Sequence, residues 1–191
     1  MSDLLNRWIK IGVKNSLIAE GNEELVEYGL YQLVTYILFF ICQLIILKIF
    51  HCILGGVIFI TAFVVLRRFI GGYHANTRLM CFIYSNALSL LYGILSRIHI
   101  DEKKIIIALL MAVVILLILA PVDNANKKLS SDEFMKYKNK ARIVLFAELV
   151  IVMVSRLMSL YILEESLMYA IIFGSVFVIA GYVKSIIENN T

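Results

Sequence analysis

The chain has 191 residues, of which 61% are hydrophobic, with one proline and a formal net charge of +4. Its mean hydropathy is +0.89. In soluble domains roughly 45–50% of residues are apolar, and the hydrophobic fraction of this chain exceeds that range. The basic residues fall in loops between apolar runs, so they indicate membrane orientation and no nucleic-acid partner. Three cysteines without dense spacing argue against a disulfide-stapled fold.

Residues 1–20 predict an amphipathic helix that lies in the membrane interface. One face of this helix is apolar, with Leu4, Leu5, Trp8, Ile11 and Ile18. Another face carries Arg7, Lys10 and Lys14. A topogenic anchor is the simpler interpretation of this helix, and capture of a peptide is the alternative.

Six apolar runs follow, over about residues 29–50, 52–66, 79–96, 104–122, 142–163 and 166–187. Runs of about 18 such residues are typical of transmembrane helices. The short second run is expected either to thin the bilayer or to borrow flanking residues. Tight turns are expected around His51 and at Glu164-Glu165. The one long soluble loop is expected over 123–141. We therefore predict an all-α, polytopic integral membrane protein with about six transmembrane helices over 29–187, forming a single domain over 1–191.

The distribution of lysine and arginine predicts the orientation of this protein. With both termini in the cytoplasm, most basic residues lie on the inner side, and the outer side holds only Lys48, Arg97, Lys103 and Lys104. Arg156, inside the fifth run, is expected to snorkel toward the outer surface. His51 and His99 then lie at the outer ends of their helices. Among the histidines, only His74 shares the cytoplasmic boundary with Cys81.

The pair of His74 and Cys81 is the candidate catalytic site. A thiolate is the nucleophilic form of cysteine, and its pKa falls near a helix N-terminus or beside cations. Asn76 or Thr77 is a credible N-cap, which would place Cys81 near the positive end of the third helix. Further positive charge would come from a protonated His74 and from Arg67, Arg68 and Arg78.

Gly71 and Gly72 precede this pair. In one continuous helix, the two functional side chains would stand about 10 Å apart along the axis, too far for a hydrogen bond. We therefore expect the double glycine to let the His74 segment fold back over the helix start. Exposed backbone amides at this turn are candidates to stabilise an oxyanion.

Several polar residues within the apolar runs are secondary candidates. Glu148 is expected to orient His74, to pair with Arg67 or Arg68, or to serve a purely structural role. Ser85, Asn86 and Ser89 follow one path down the third helix and favour interhelical hydrogen bonding, with substrate contact as the alternative. One histidine and one cysteine make a poor metal site, so neither a metal nor another cofactor is expected.

At these residues the chain resembles the accessory gene regulator B family, bacterial membrane cysteine endopeptidases that process quorum-sensing peptide precursors. Arg67-Arg68, Gly71-Gly72, His74-Ala75 and Cys81 carry the resemblance, together with chain length and the six apolar runs. The resemblance implies that Cys81 is the nucleophile and His74 the catalytic histidine. It also implies that Arg67 and Gly72 match positions that the family needs for activity.

The implied activity is cleavage of a short amphipathic precursor peptide, the D component of such systems, through a thioester on Cys81. An internal nucleophile of the peptide would then close a thiolactone or lactone ring. The implied location is the bacterial cell membrane, with the active site at its cytoplasmic face. A small peptide transporter and a non-catalytic membrane scaffold are the alternatives, and a homodimer stays open because no residue-level argument bears on it.

Overall fold

A computed structural model of the protein describes residues 22–73, 77–122 and 130–190, so the amphipathic helix predicted over 1–20 lies outside the described residues. The described residues form six α-helices: α1 Glu23–Ile49, α2 Ile53–Ile70, α3 Arg78–Leu95, α4 Glu102–Leu119, α5 Ser131–Leu157 and α6 Tyr161–Asn190. Each helix contains most of one predicted apolar run, in the same order along the chain. The predicted all-α fold is therefore confirmed.

Three of the described helices are long and apolar enough to cross a membrane, over Glu24–Ile49, Ile53–Ile70 and Tyr161–Glu188. Leu79–Leu95 is a shorter apolar helix. The short second run does borrow from its flank, because α2 continues to Ile70 through Arg67 and Arg68. These helices identify an integral membrane protein, and six complete crossings stay a prediction.

The predicted turn around His51 is present between α1 and α2. His51 has a φ of 50°, and the amide of Cys52 donates to the carbonyl of Leu47 at 3.0 Å. The turn predicted at Glu164-Glu165 is wrong, because α5 ends at Leu157 and both glutamates lie inside α6. The chain instead reverses at Ser159, with a φ of 57°, and the amide of Leu160 donates to Ser155 at 2.8 Å.

The predicted soluble loop over 123–141 is also too long. The helix α5 begins at Ser131, so more than half of that stretch is helical. Ser130 and Glu133 form a capping box, in which each side chain accepts a hydrogen bond from the other residue's backbone amide. This cap starts the helix well before the apolar run.

The chain divides into two compact units, Met1–Gln43 and Leu44–Thr191. The described part of the first unit belongs to α1, and many of its large apolar side chains are exposed. In the second unit, α6 contacts α2, α4 and α5, and α2 also contacts α5. The core of the second unit therefore forms around α6.

Aromatic side chains fill the centre of this core. The rings of Phe59 and Tyr92 stack with centroids 4.6 Å apart, and Phe173 meets Phe59 edge-on at 5.6 Å. The hydroxyl of Tyr92 forms a buried hydrogen bond of 2.9 Å with the hydroxyl of Ser166. This bond joins α3 to α6, which ties the helix of Cys81 to the centre of the unit.

Candidate functional site

Cys81 lies in the first turn of α3. Thr77 caps this helix with an extended backbone, φ −129° and ψ 152°, and its hydroxyl accepts from the amide of Met80 at 3.2 Å. The amide of Cys81 donates to the carbonyl of Thr77 at 3.1 Å, which is the first hydrogen bond of the helix. The prediction of a cap at Thr77 is confirmed. Cys81 is a free, exposed thiol near the positive end of the helix dipole.

The double glycine ends α2 and turns the chain away from the helix axis. Gly71 is the C-cap with a φ of 66°, and Gly72 follows with a φ of 104°. Residues with a side chain rarely adopt such φ values, so two successive glycines permit this turn. The two glycines thus end α2, and the expected folding back of the His74 segment over the start of α3 stays a prediction. His74 lies outside the described residues, so its approach to Cys81 stays a prediction.

The backbone of this turn is bonded on both sides to distant parts of the chain. The amide of Gly72 donates to the carbonyl of Val122 at 3.4 Å, and that of Tyr73 donates to the carbonyl of Phe177 at 2.9 Å. These two amides are therefore already hydrogen-bonded, and the expected stabilisation of an oxyanion at this turn stays a prediction. The described role of Gly72 is therefore to shape the backbone.

Arg67 joins the end of α2 to the turn. One guanidinium nitrogen, Nη2, donates to the carbonyl of Tyr73, and the guanidinium carbon lies 5.4 Å from the centre of the Phe177 ring. The other nitrogen, Nη1, is buried and has no hydrogen-bond partner among the described residues. Arg67 therefore contacts the turn that leads from α2 to the helix of Cys81, and its role beside Cys81 stays a prediction.

The other two predicted arginines differ from Arg67. Arg68 is exposed, and its guanidinium carbon lies 6.0 Å from the ring centre of Phe69, its neighbour in sequence. Arg78 is the first residue of α3. Within the part of the chain that the structure describes, Arg67 contacts the turn and Arg68 does not.

Sequence reasoning missed three residues of α6 that contact this site. Phe177, Gly181 and Lys184 follow an i, i+4, i+7 spacing, so they share one face of the helix. Lys184 lies over the ring of Tyr73, with its Nζ 5.2 Å from the ring centre. The ring of Tyr73 also meets that of Tyr84 edge-on at 5.7 Å. The only signal in the sequence was a glycine and a lysine at helical spacing.

Glu148 is a buried carboxyl on α5, only 6% exposed. Among the described residues it forms no ion pair with Arg67 or Arg68, and its Oε2 atom has no hydrogen-bond partner there. Its role toward His74 stays a prediction.

The predicted polar path on α3 bonds mainly within its own helix. Asn86 donates to Phe82 at 2.8 Å, and Ser89 donates to Ser85 at 3.4 Å. The interhelical bond is made instead by Tyr92, one turn further on. Across residues 22–73, 77–122 and 130–190, no group of three histidine, cysteine or acidic residues could hold a metal ion.

A polar cavity of about 430 Å³ lies at the other end of α3. His99 and Glu165 line it, and a smaller cavity beside it includes His51. Arg156, expected to snorkel, instead forms ion pairs with Glu102 and, at 2.8 Å, with the buried Glu164. Both histidines therefore sit at the helix ends remote from Cys81.

The fold and this site define a helical membrane protein with an accessible cysteine at a capped helix start. A partly buried arginine contacts the turn that precedes this helix. The chain belongs to the accessory gene regulator B family, because the sequence model of that family matches residues 5–182. This membership assigns the protein to an accessory gene regulator, a quorum-sensing system. The peptide context of that system is an AgrD-like precursor.

Two curated relatives come from Clostridium perfringens. AgrB-like protein 2 of strain 13 (Type A) is 24% identical over 164 residues, covering 80% of this chain and 77% of its own. An AgrB-like protein of strain SM101 (Type A) is 26% identical over 188 residues, covering 91% of this chain and 87% of its own. No solved structure gives a significant match.

Proposed function

We propose that this protein is a membrane cysteine endopeptidase that cleaves an AgrD-like precursor peptide and helps to cyclise it. Cys81 is the proposed nucleophile and His74 the proposed general base and acid. The proposed active site is at the cytoplasmic face of a multi-pass membrane protein with both termini in the cytoplasm. The observation that carries this proposal is the placement of Cys81, a free and exposed thiol, in the capped first turn of α3.

The start of α3 places the proposed nucleophile in a region of positive potential. Unsatisfied amides and the helix dipole make this end of a helix positive. The Arg67 guanidinium adds a full positive charge nearby, and its buried Nη1 atom has an unused donor. Reactive cysteines in proteins occur in this kind of electropositive, partly exposed environment.

The first chemical step is attack of the Cys81 thiolate on a backbone carbonyl near the C-terminal part of the peptide. A carbon–sulfur bond forms and the scissile carbon–nitrogen bond breaks. His74 in its protonated form gives a proton to the leaving amine, which departs with the C-terminal fragment. The products are an acyl-thioester on Cys81 and a free amine.

The second step releases the peptide as a ring. A cysteine thiol or serine hydroxyl within the peptide attacks the thioester carbonyl and loses its proton to His74. The new thioester or ester bond closes the ring, and Cys81 leaves as a thiolate. Exclusion of water from a membrane-boundary site favours this ring closure over hydrolysis. Forming a thioester from an amide is uphill, so removal of the cleaved fragment must draw the first step forward.

The test uses the full-length protein reconstituted in liposomes, with the short amphipathic peptide encoded beside its gene. We expect mass spectrometry to detect a peptide adduct on Cys81 that hydroxylamine removes, together with cleaved and cyclised peptide. Cys81→Ala and His74→Ala should each abolish the adduct and the cleavage. Cys42→Ala and Cys52→Ala are matched controls, because both thiols are free but only partly exposed, and they should retain both.

Processing that survives in Cys81→Ala would contradict the nucleophile assignment. If peptide crosses the membrane uncleaved at a rate that Cys81→Ala leaves unchanged, the transporter alternative is supported. If neither cleavage nor transport occurs while the peptide still binds, the scaffold alternative is supported.

A further inference from the structure

Two basic residues from different helices lie close to one aromatic ring, that of Phe69 near the end of α2. The guanidinium carbon of Arg68 lies 6.0 Å from the ring centre, and the ammonium of Lys140 on α5 also lies 6.0 Å from it. The ring of Tyr137 lies beside that of Phe69, with centroids 6.4 Å apart. Arg68, Phe69 and Lys140 are here called the Phe69 basic site.

No acidic side chain forms an ion pair with Arg68 or Lys140 within residues 22–73, 77–122 and 130–190. The acidic residues at the start of α5, Asp132 and Glu133, lie about two turns before Lys140, and Glu133 is engaged in the capping box. Arg68 and Lys140 are both exposed. Two positive charges beside one ring repel each other, so the site favours a bound anion that neutralises both.

The surroundings of the site favour an anion that also has an apolar part. Arg68 lies two residues before the end of a helix long and apolar enough to cross a membrane, Ile53–Ile70. Val64, one turn earlier on the same face of α2, is 58% exposed. On α5 the apolar run begins just after Lys140, and Ile143, three residues on, is 67% exposed. Each cation therefore stands next to an exposed, branched apolar side chain of its own helix.

We propose that the Phe69 basic site binds the headgroup of an anionic phospholipid. Arg68 and Lys140 donate to the phosphate oxygens, for which a guanidinium and an ammonium are both suited. The acyl chains lie along the exposed apolar residues beside the two cations. Basic pockets between membrane helices recognise lipid headgroups in this way. The site includes no residue of the proposed reaction, so this inference does not rest on the proposed function.

The test measures lipid binding to the full-length protein, purified in a neutral detergent, by native mass spectrometry over a lipid concentration series. Phosphatidylglycerol is the anionic probe and phosphatidylcholine the zwitterionic one. We expect the wild type to bind phosphatidylglycerol more tightly. Arg68→Gln and Lys140→Gln should each weaken phosphatidylglycerol binding about fivefold, as expected for the loss of one basic residue beside an anionic headgroup. Neither substitution should change the binding of phosphatidylcholine.

The double variant, Arg68→Gln with Lys140→Gln, distinguishes one shared headgroup from a diffuse attraction of lipids to a basic surface. If both cations hold the same phosphate, removing the second costs less once the first is gone. The loss in the double variant should then be smaller than the product of the two single losses. Fully additive effects would show two independent charges and would overturn the proposal of a single site.

Lys103→Gln is the matched control, because it removes one exposed lysine near the start of α4. It should keep the wild-type affinity for phosphatidylglycerol. Arg68→Lys keeps the charge and should retain most of the binding. The thermal unfolding midpoint of every variant, measured in the same detergent, should equal that of the wild type, since each changed side chain is exposed.

Three further results would overturn the proposal. The first is equal affinity for the two lipids, or unchanged phosphatidylglycerol binding in the double variant. The second is displacement of the lipid by an equal concentration of glycerol phosphate, which would show a site for free anions. The third is displacement by hexaglutamate that depends on Arg68 and Lys140, which would show a site for an acidic peptide. None of these measurements uses peptide cleavage, so a failure of the proposed enzymatic function is a separate result.

Discussion

The guanidinium of Arg67 is held between the backbone of Tyr73 and the aromatic ring of Phe177. The first contact is a hydrogen bond and the second places the guanidinium carbon 5.4 Å from the ring centre. A planar guanidinium serves both contacts at once, since it donates along its edge and stacks with its face. The residue therefore links α2, the turn after it and α6.

Arg67→Lys should lose function although it keeps the charge. A lysine ammonium has no planar face to lie on Phe177 and cannot make both contacts at once, so the charge moves away from its place at the turn. We expect slower peptide cleavage by about tenfold or more and a lower thermal unfolding midpoint, at a cost of roughly 1–3 kcal/mol for the lost hydrogen bond to a charged group. Arg68→Lys, one residue on and exposed, is the control and should behave as wild type. Equal losses in the two variants would contradict the assignment.

Gly72→Ala should disrupt the turn. The residue has a φ of 104°, and a Cβ atom there would stand 2.6 Å from the carbonyl oxygen of Phe177 and 2.9 Å from Nη1 of Arg67. Backbone strain of this kind costs roughly 1–3 kcal/mol before the steric contacts are counted. We expect loss of cleavage activity and a lower unfolding midpoint, measured on the purified protein in detergent.

Gly29→Ala provides the comparison for that substitution. It lies in α1, and an added Cβ atom would meet nothing within 4 Å. Alanine is favoured over glycine in a helix by about 1 kcal/mol, so this variant should be as stable as wild type or slightly more so. Gly72→Ala retaining full activity would show that the turn tolerates a side chain and would contradict this description of it.

Tyr92→Phe tests the bond that joins α3 to the centre of the second unit. The hydroxyl of Ser166 donates to the carbonyl of Ile162 at 2.5 Å, so the hydroxyl of Tyr92 donates to Ser166. Its removal should destabilise the protein by about 1 kcal/mol. A double-mutant cycle with Ser166→Ala measures the interaction directly, and fully additive effects of the two substitutions would contradict a direct bond.

Arg156→Met should lower the unfolding midpoint without changing the chemistry at Cys81. The substitution leaves the buried carboxylate of Glu164 without its cation, which is unfavourable in a site of low exposure. The rate at which iodoacetamide alkylates Cys81 should stay that of wild type, because Arg156 lies near the helix ends opposite to Cys81. Lys103→Met, a change of the same charge at an exposed position, is the control and should leave the unfolding midpoint unchanged.

The sequence predicted the helices better than their ends. Long apolar runs have few structural options in a membrane, so the six helices follow from composition. Thr77 was identifiable as a cap because a short polar side chain directly precedes an apolar run. Glu164 and Glu165 were misleading, since adjacent carboxylates usually indicate a turn. Here a tertiary partner, Arg156, pairs with Glu164 inside a helix, and nothing local in the sequence reveals that partner.

The candidate site was predictable only in part, and for a similar reason. Local spacing around Cys81 identified Arg67, Gly71 and Gly72, because they belong to the same stretch of chain. Gly181 stands far along the chain inside an apolar run, where a glycine has no distinctive appearance. Its importance depends on which backbone packs against it, and that contact exists only in the folded protein.

The hydrogen bond from Tyr73 to Phe177 also has a consequence for the order in which the protein becomes functional. During synthesis, α2, the turn and α3 enter the membrane before α6 has been made. Until α6 arrives, the turn has neither the carbonyl of Phe177 nor the surface of Gly181 to rest on. The turn before Cys81 is therefore completed last, so a chain that is still being inserted would carry its cysteine without the surroundings that the proposed chemistry requires.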